Sequence, residues 1–143
     1  MTEIEVKNII NLQRKYFLTG ATLDVDFRIQ ALQKLKDCII KHEDKINAAL
    51  KSDLGKSAFE SYMCETGMVL SELSYMIKHI RSFSRCKKVR TPLAQFHSKS
   101  YQKPSPYGVT LIMSPWNYPF MLAMDPLVDA LAAGNTAVIK PSA

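Results

Sequence analysis

The last third of this 143-residue chain constrains its fold more than any other part, because two short apolar runs there flank a helical pattern. Tyr107 to Met113, with GVTLIM at its heart, is a continuous β-favouring run, and Thr136 to Lys140 (TAVIK), closed by Pro141, is a second. Runs this short, and apolar at successive positions, are expected as parallel strands buried on both faces. Between them SPWNYPF turns the chain, and Met121 to Ala133 carries Leu122, Leu127, Val128 and Leu131 at helical spacing. Pro126 falls in or near the start of that helix, and Gly134 with Asn135 supplies its stop. Strand, helix and strand with a crossover of about two dozen residues is the βαβ unit of a parallel sheet. Such sheets bind ligands at the carboxyl ends of their strands, here SPWN at 114–117 and KPSA at 140–143. Two strands do not complete a doubly wound sheet, so the chain is expected to be the N-terminal piece of a larger protein.

Upstream the pattern is helical. Thr2 with Glu5 forms a capping-box pattern that opens a helix through Val6, Ile9, Ile10, Gln13 and Phe17, stopped at Thr19 and Gly20. Asp24 or Asp26 caps a second helix, whose one-sided stripe is Phe27, Ala31, Leu32, Leu35, Cys38 and Ile39. KHED at 41–44 breaks it before a short third helix through Ile46, Ala49 and Leu50, which ends at Gly55. Ser57 with Glu60 repeats the capping signal and opens one long helix through Met63, Gly67, Leu70, Leu73, Met76, Ile77 and Ile80, to about Ser84. Tyr62, Met63, Met68, Tyr75 and Met76 on that helix are expected as core filler rather than as a ligand groove.

Between these regions, from Lys87 to Pro106, Pro92, Pro104 and Pro106 forbid a helix, and the stretch is expected to be an extended excursion of two strands. It carries most of a basic block, Lys78, Arg81, Arg85, Lys87, Lys88, Arg90, Lys99 and Lys103, with no acid between Glu72 and Asp125. A single-sign run of this kind suits a solvated face or the surface of another subunit. An RNA-binding sheet would interleave more aromatics than Phe96 and Tyr101, so no nucleic-acid partner is expected.

The longest apolar stretches are interrupted by Pro, Asp or Lys, which excludes an integral membrane segment. The polar start MTEIEVKN carries no secretory signal, and the expected compartment is the cytoplasm. Cys38, Cys64 and Cys86 are odd in number, widely spaced and without a CxxC pair, as reduced thiols are, and no metal site is expected.

SPWNYPF at 114–120 followed by PLVDALAAGNTAVIKPS at 126–142 resembles the start of the cofactor-binding domain of the aldehyde dehydrogenase superfamily. The segment 30–56 and the helix from Glu60 to Glu72 resemble that family's N-terminal helical region, so the likeness covers nearly the whole chain. The direct helical start and the early SPWNYPF are most similar to the short-N-terminus branch acting on fatty and aromatic aldehydes. The fold implied is α/β: N-terminal helices (1–86), oligomerisation strands that pair with another subunit (87–106), and the first βαβ unit of a Rossmann-like parallel sheet (107–143). The activity implied is NAD- or NADP-dependent oxidation of an aldehyde to a carboxylic acid, through a cysteine thiohemiacetal and a thioester, in a homo-oligomer, dimer or tetramer.

Residue by residue, the resemblance assigns Asn117 as the amide that donates to the developing oxyanion, where a neutral dipole at a strand's carboxyl end is also physically apt. Its bland alternative is an Asx turn between Pro115 and Pro119. Lys140 matches the lysine that holds the adenosine ribose, and Ile112, Met113, Ser114, Pro115 and Trp116 match the segment lining the cofactor cleft. Where relatives commonly carry Glu after KPS, this chain has Ala143, which removes a repulsion against a 2′-phosphate and makes NADP use an expectation. The family's nucleophilic Cys and general-base Glu are expected beyond residue 143, and none of the three cysteines, expected on helices upstream of the sheet, stands in a matching motif. A second reading, from another class, is a non-catalytic fragment or partner-binding module with the same partial fold.

Overall fold

A computed structural model describes residues 2–142. Helix α1 (Glu3–Leu18) opens with the reciprocal capping box: the Glu5 N–H donates to Thr2 Oγ1 and the Thr2 N–H to Glu5 Oε2. Helix α2 (Val25–Lys41) is capped by Asp24, whose carboxylate accepts from the N–H groups of Asp26 and Phe27. Only His42 separates it from α3 (Glu43–Leu54), which ends on Gly55 at a φ of 70° that favours glycine. Ser57 accepts from the Glu60 N–H and starts α4 (Ala58–Ser61).

The single long helix expected next is interrupted. One π turn (Tyr62–Thr66) intervenes before α5 (Gly67–Phe83). The Gly67 N–H reaches back to the Tyr62 carbonyl, and a Cβ on residue 67 would lie 2.5 Å from that oxygen, so the wide turn requires glycine there. The extra residue in the ring rotates the preceding segment relative to α5. Ser61, Glu65 and Thr66 become fully buried, while Tyr62 and Met63 face outward. The expectation of core filler is therefore corrected: Tyr62, Met63, Met68 and Tyr75 are exposed, and only Met76 packs against the core. On α5 the inward line is Val69, Leu73 and Ile80, which leaves Met68 and Tyr75 on the opposite side.

That line joins Leu32 and Ile39 of α2 and Val128 and Ala132 of α6 (Met121–Ala133) in one apolar cluster. Arg28, itself buried, crosses from α2 to the end of α6, where its Nη1 donates to the Ala132 carbonyl at 2.6 Å, one of the acceptors a helix C-terminus leaves free. Pro126 lies in the interior of α6 rather than at its start, and Gly134, at a φ of 91°, ends the helix as expected.

Strands β1 (Lys87–Val89) and β2 (Ser100–Gln102) pair antiparallel as an exposed ribbon, with a short turn of 3-10 helix (Leu93–Gln95) between them. Strands β3 (Val109–Met113) and β4 (Thr136–Lys140) pair parallel, with Val109 opposite Thr136 and Met113 opposite Lys140. β3 begins two residues later than expected, because Gly108 takes a φ of 120° and is pinned by its N–H to Asn135 Oδ1 at 2.9 Å. Nor is β3 buried on both faces: Ile112 is buried, but Leu111 and Met113 are exposed, since the sheet has two strands among the described residues. No described helix is long and apolar enough to cross a membrane, and no described group of His, Cys, Asp or Glu is arranged to hold a metal ion.

Glu72 of α5 faces Asp125 and Asp129 of α6. Burial raises the pKa of each, with Asp129 and Asp125 raising Glu72 further, Asp129 raising Asp125, and a hydrogen bond from Glu72 partly offsetting the rise at Asp129. An acid with a raised folded pKa keeps its proton in the folded chain at a pH where the unfolded chain has lost it. Stability contributed here is thus present at low pH and lost as pH rises from the ordinary carboxylate range through the raised values. Glu72→Gln is expected to flatten that decline and to raise stability near neutral pH, read by urea unfolding between about pH 5 and about pH 8. An unchanged pH profile would dismiss the coupling.

Candidate functional site

The register of β3 and β4 determines what shares the carboxyl end of the sheet. Met113 lies opposite Lys140, and the Ser114 N–H donates to the Lys140 carbonyl at 3.3 Å, so the chain leaves β3 directly beside the end of β4. The structure brings Ile112, Met113, Ser114, Pro115, Trp116, Asn117 and Lys140 to this one end. Ile112 and Ser114 are buried, and Ser114 Oγ has no hydrogen-bond partner there. Met113, Pro115, Trp116, Asn117 and Lys140 are exposed, and the Lys140 ammonium makes no ion pair among the described residues. An exposed ammonium at a strand's carboxyl end suits a polar ligand rich in hydroxyl or phosphate oxygens.

The Asn117 side-chain amide makes no hydrogen bond among the described residues, so the Asx turn that was its alternative is not formed, and its two N–H donors are available. Its backbone, in contrast, is held. Lys56 Nζ donates to the Asn117 carbonyl at 3.1 Å and sits 4.1 Å from the centre of the Tyr118 ring. The same ammonium donates to Glu65 Oε1 at 2.5 Å, and Glu65 Oε2 accepts from the N–H groups of Phe120 and Met121 at 3.0 and 2.9 Å. Glu65 thus caps α6, where a carboxylate meets both free N–H donors and the positive end of the helix dipole.

Neither Lys56 nor Glu65 emerged from the sequence reading. The only local signal is spacing: Glu65 stands four residues before Val69 and eight before Leu73, a charged residue on the buried line of a helix. Lys56 carries no signal beyond following the Gly55 stop. Of the cysteines, Cys38 lies in α2 and Cys64 in the π turn, but Cys86 lies between α5 and β1 and not on a helix as expected. Ala143, on which the NADP expectation rests, lies outside the described residues.

The model of the aldehyde dehydrogenase family matches residues 1–143. The chain is 45% identical over 129 residues to the 4,4'-diaponeurosporen-aldehyde dehydrogenase of Staphylococcus aureus, which covers 90% of this chain and 28% of that protein. It is 38% identical over 140 residues to aldehyde dehydrogenase family 3 member A2 of Pongo abelii, covering 98% of this chain and 28% of the relative. The solved structure of Staphylococcus aureus AldH in a substrate-bound state superposes with a TM-score of 0.91 at 44% identity, over 99% of this chain and 31% of that one. A succinic semialdehyde dehydrogenase from Streptococcus pyogenes, in complex with NADP+, shares the fold with a TM-score of 0.84 at 19% identity, over 97% of this chain and 30% of that one. The chain therefore spans less than a third of the length of each of these relatives.

Proposed function

Because the chain belongs to the aldehyde dehydrogenase family, we propose that it is the N-terminal portion of an NAD- or NADP-dependent enzyme that oxidises aldehydes to carboxylic acids. The observation that carries this reading is the free Asn117 amide, backbone-anchored at the carboxyl end of a parallel strand pair. In the proposed reaction a cysteine outside these 143 residues attacks the aldehyde carbon, and the Asn117 N–H donates to the oxygen as it gains negative charge. A fixed neutral amide suits that role, because it stabilises charge as it forms without having to reorganise. When bound, the nicotinamide cofactor accepts the hydride.

Lys140 would hold the ribose hydroxyls or a 2′-phosphate, and Ile112, Met113, Ser114, Pro115 and Trp116 would wall the cleft. The resemblance of SPWNYPF and the direct helical start to the short-N-terminus branch supports a fatty or aromatic aldehyde as substrate. The segments 1–86, 87–106 and 107–143 serve as helical base, oligomerisation strands and cofactor-binding core. The largely exposed β1–β2 ribbon would add its edge to another subunit of a dimer or tetramer in the cytoplasm.

The test is to follow NAD(P)H formation by the full-length protein over a series of aldehydes. Aldehyde-dependent reduction is expected with both cofactors, because Ala143 places no carboxylate against a 2′-phosphate. No reduction with any aldehyde would favour the non-catalytic module instead, and a strong preference for NAD in the Michaelis constants would remove the NADP expectation.

A further inference from the structure

The seven-residue turn 114–120 is fastened at both ends. Ser114 is tied to β4, while the Tyr118 carbonyl accepts from the Leu122 N–H and the Phe120 carbonyl from those of Ala123 and Met124 in α6. Between those ends, the hydrogen bond from Lys56 is the one that holds residue Asn117 among the described residues. From this geometry we infer that Lys56 and Glu65 are positioning residues for the Asn117 amide, an inference that rests on the oxyanion role proposed for Asn117.

An ammonium has three donors, and here each has a destination: Glu65 Oε1, the Asn117 carbonyl and the face of the Tyr118 ring. Lys56 is 7% exposed and Glu65 is fully buried, so neither charge is dissipated in water and the direction of the ammonium is determined by its partners. Glu65 in turn cannot shift without releasing the N–H groups of Phe120 and Met121. The carboxylate therefore references the Asn117 peptide to the N-terminus of α6, on the far side of the turn. Fixing the carbonyl end of that peptide limits the movement of the Cα from which the amide side chain projects, and Pro115 and Pro119 restrict their own torsions and those of Ser114 and Tyr118 in the same turn. Glu65 lies within the π turn itself, which Gly67 admits, and it is fully buried there.

The experiment uses the full-length enzyme carrying Lys56→Met with Glu65→Gln, in the Asn117 and the Asn117→Ala backgrounds. The pair of substitutions removes both buried charges together and preserves volume. The amide oxygen introduced at position 65 can still accept from the α6 N–H groups, while the bond to the Asn117 carbonyl is deleted. In the Asn117 background kcat is expected to fall about tenfold or more, as loss of alignment does, with the cofactor KM within about twofold. In the Asn117→Ala background the same substitutions are expected to change kcat less than about twofold, since residues acting through one another are not additive. Equal losses in both backgrounds would make the pair merely structural and overturn the inference, as would no loss in either. If the double variant does not fold, Glu65→Gln alone is read in the same cycle, and failure of both to fold would reassign the pair as a folding element. Asn117→Ala that retains full kcat would overturn the oxyanion reading itself, independently of what the pair does.

Discussion

Replacing Asn117 with alanine is expected to lower kcat of the full-length enzyme about 10²–10³-fold, equivalent to about 2.7–4 kcal/mol of transition-state stabilisation. The size follows from the amide's situation. Its N–H groups are uncommitted within the described chain, so removing them withdraws a donor from the reacting oxygen without orphaning any protein group. The backbone hydrogen bond from Lys56 to the Asn117 carbonyl does not depend on the side chain, so alanine leaves the turn in place. Thermal stability and the KM for NAD or NADP should therefore stay close to those of the parent while kcat falls, the signature of an interaction made in the transition state. Asn117→Asp should be at least as damaging, because it sets a carboxylate against the developing oxyanion. A kcat within a few-fold of the parent in Asn117→Ala would end the assignment.

Lys56→Met alone is expected to cost about 3–5 kcal/mol of folding stability, because it strands the Glu65 carboxylate in the interior. Glu65 side-chain exposure is 0% and that of Lys56 8%, whereas the Lys7–Glu3 pair is 68% and 80% exposed. An exposed pair such as Lys7–Glu3 is worth only about 0–1 kcal/mol, so Lys7→Met is the natural control. The loss reflects the penalty of an uncompensated charge more than the net worth of the pair. Neutralising both partners together should accordingly be much milder than removing one. Denaturant unfolding of Lys56→Met, Lys7→Met and the doubly neutral variant separates these cases. Equal midpoints for Lys56→Met and the parent would show that Glu65 finds another partner.

Much of the candidate site was legible because it is written locally. The strand ends announce themselves through short apolar runs, and the parallel register then brings Ser114 and Lys140 together as the crossover length implies. The devices that stabilise the site were not legible, because their partners are remote in sequence: Lys56 and Asn117 are 61 residues apart, and Glu65 and Phe120 are 55 apart. The π turn hid them further. Periodicity assumes one residue per 100° throughout a helix, and the wide turn at 62–66 departs from it, with Met63 exposed on the stripe expected to be core.

The sequence by itself determined the helix caps at Thr2 and Ser57, the stops at Gly55 and Gly134, the parallel strand pair and the turn that carries Asn117, and it narrowed the cap of α2 to Asp24 or Asp26. Each is governed by torsional preference or hydrogen bonding within a few residues. Only the tertiary structure decided that a buried Lys56–Glu65 pair would hold that turn, that Arg28 would cap α6 from 104 residues away, and which faces of α5 would be buried. Those outcomes depend on which buried polar groups find partners once the helices pack, and a charge is admitted to the interior only where such a partner waits.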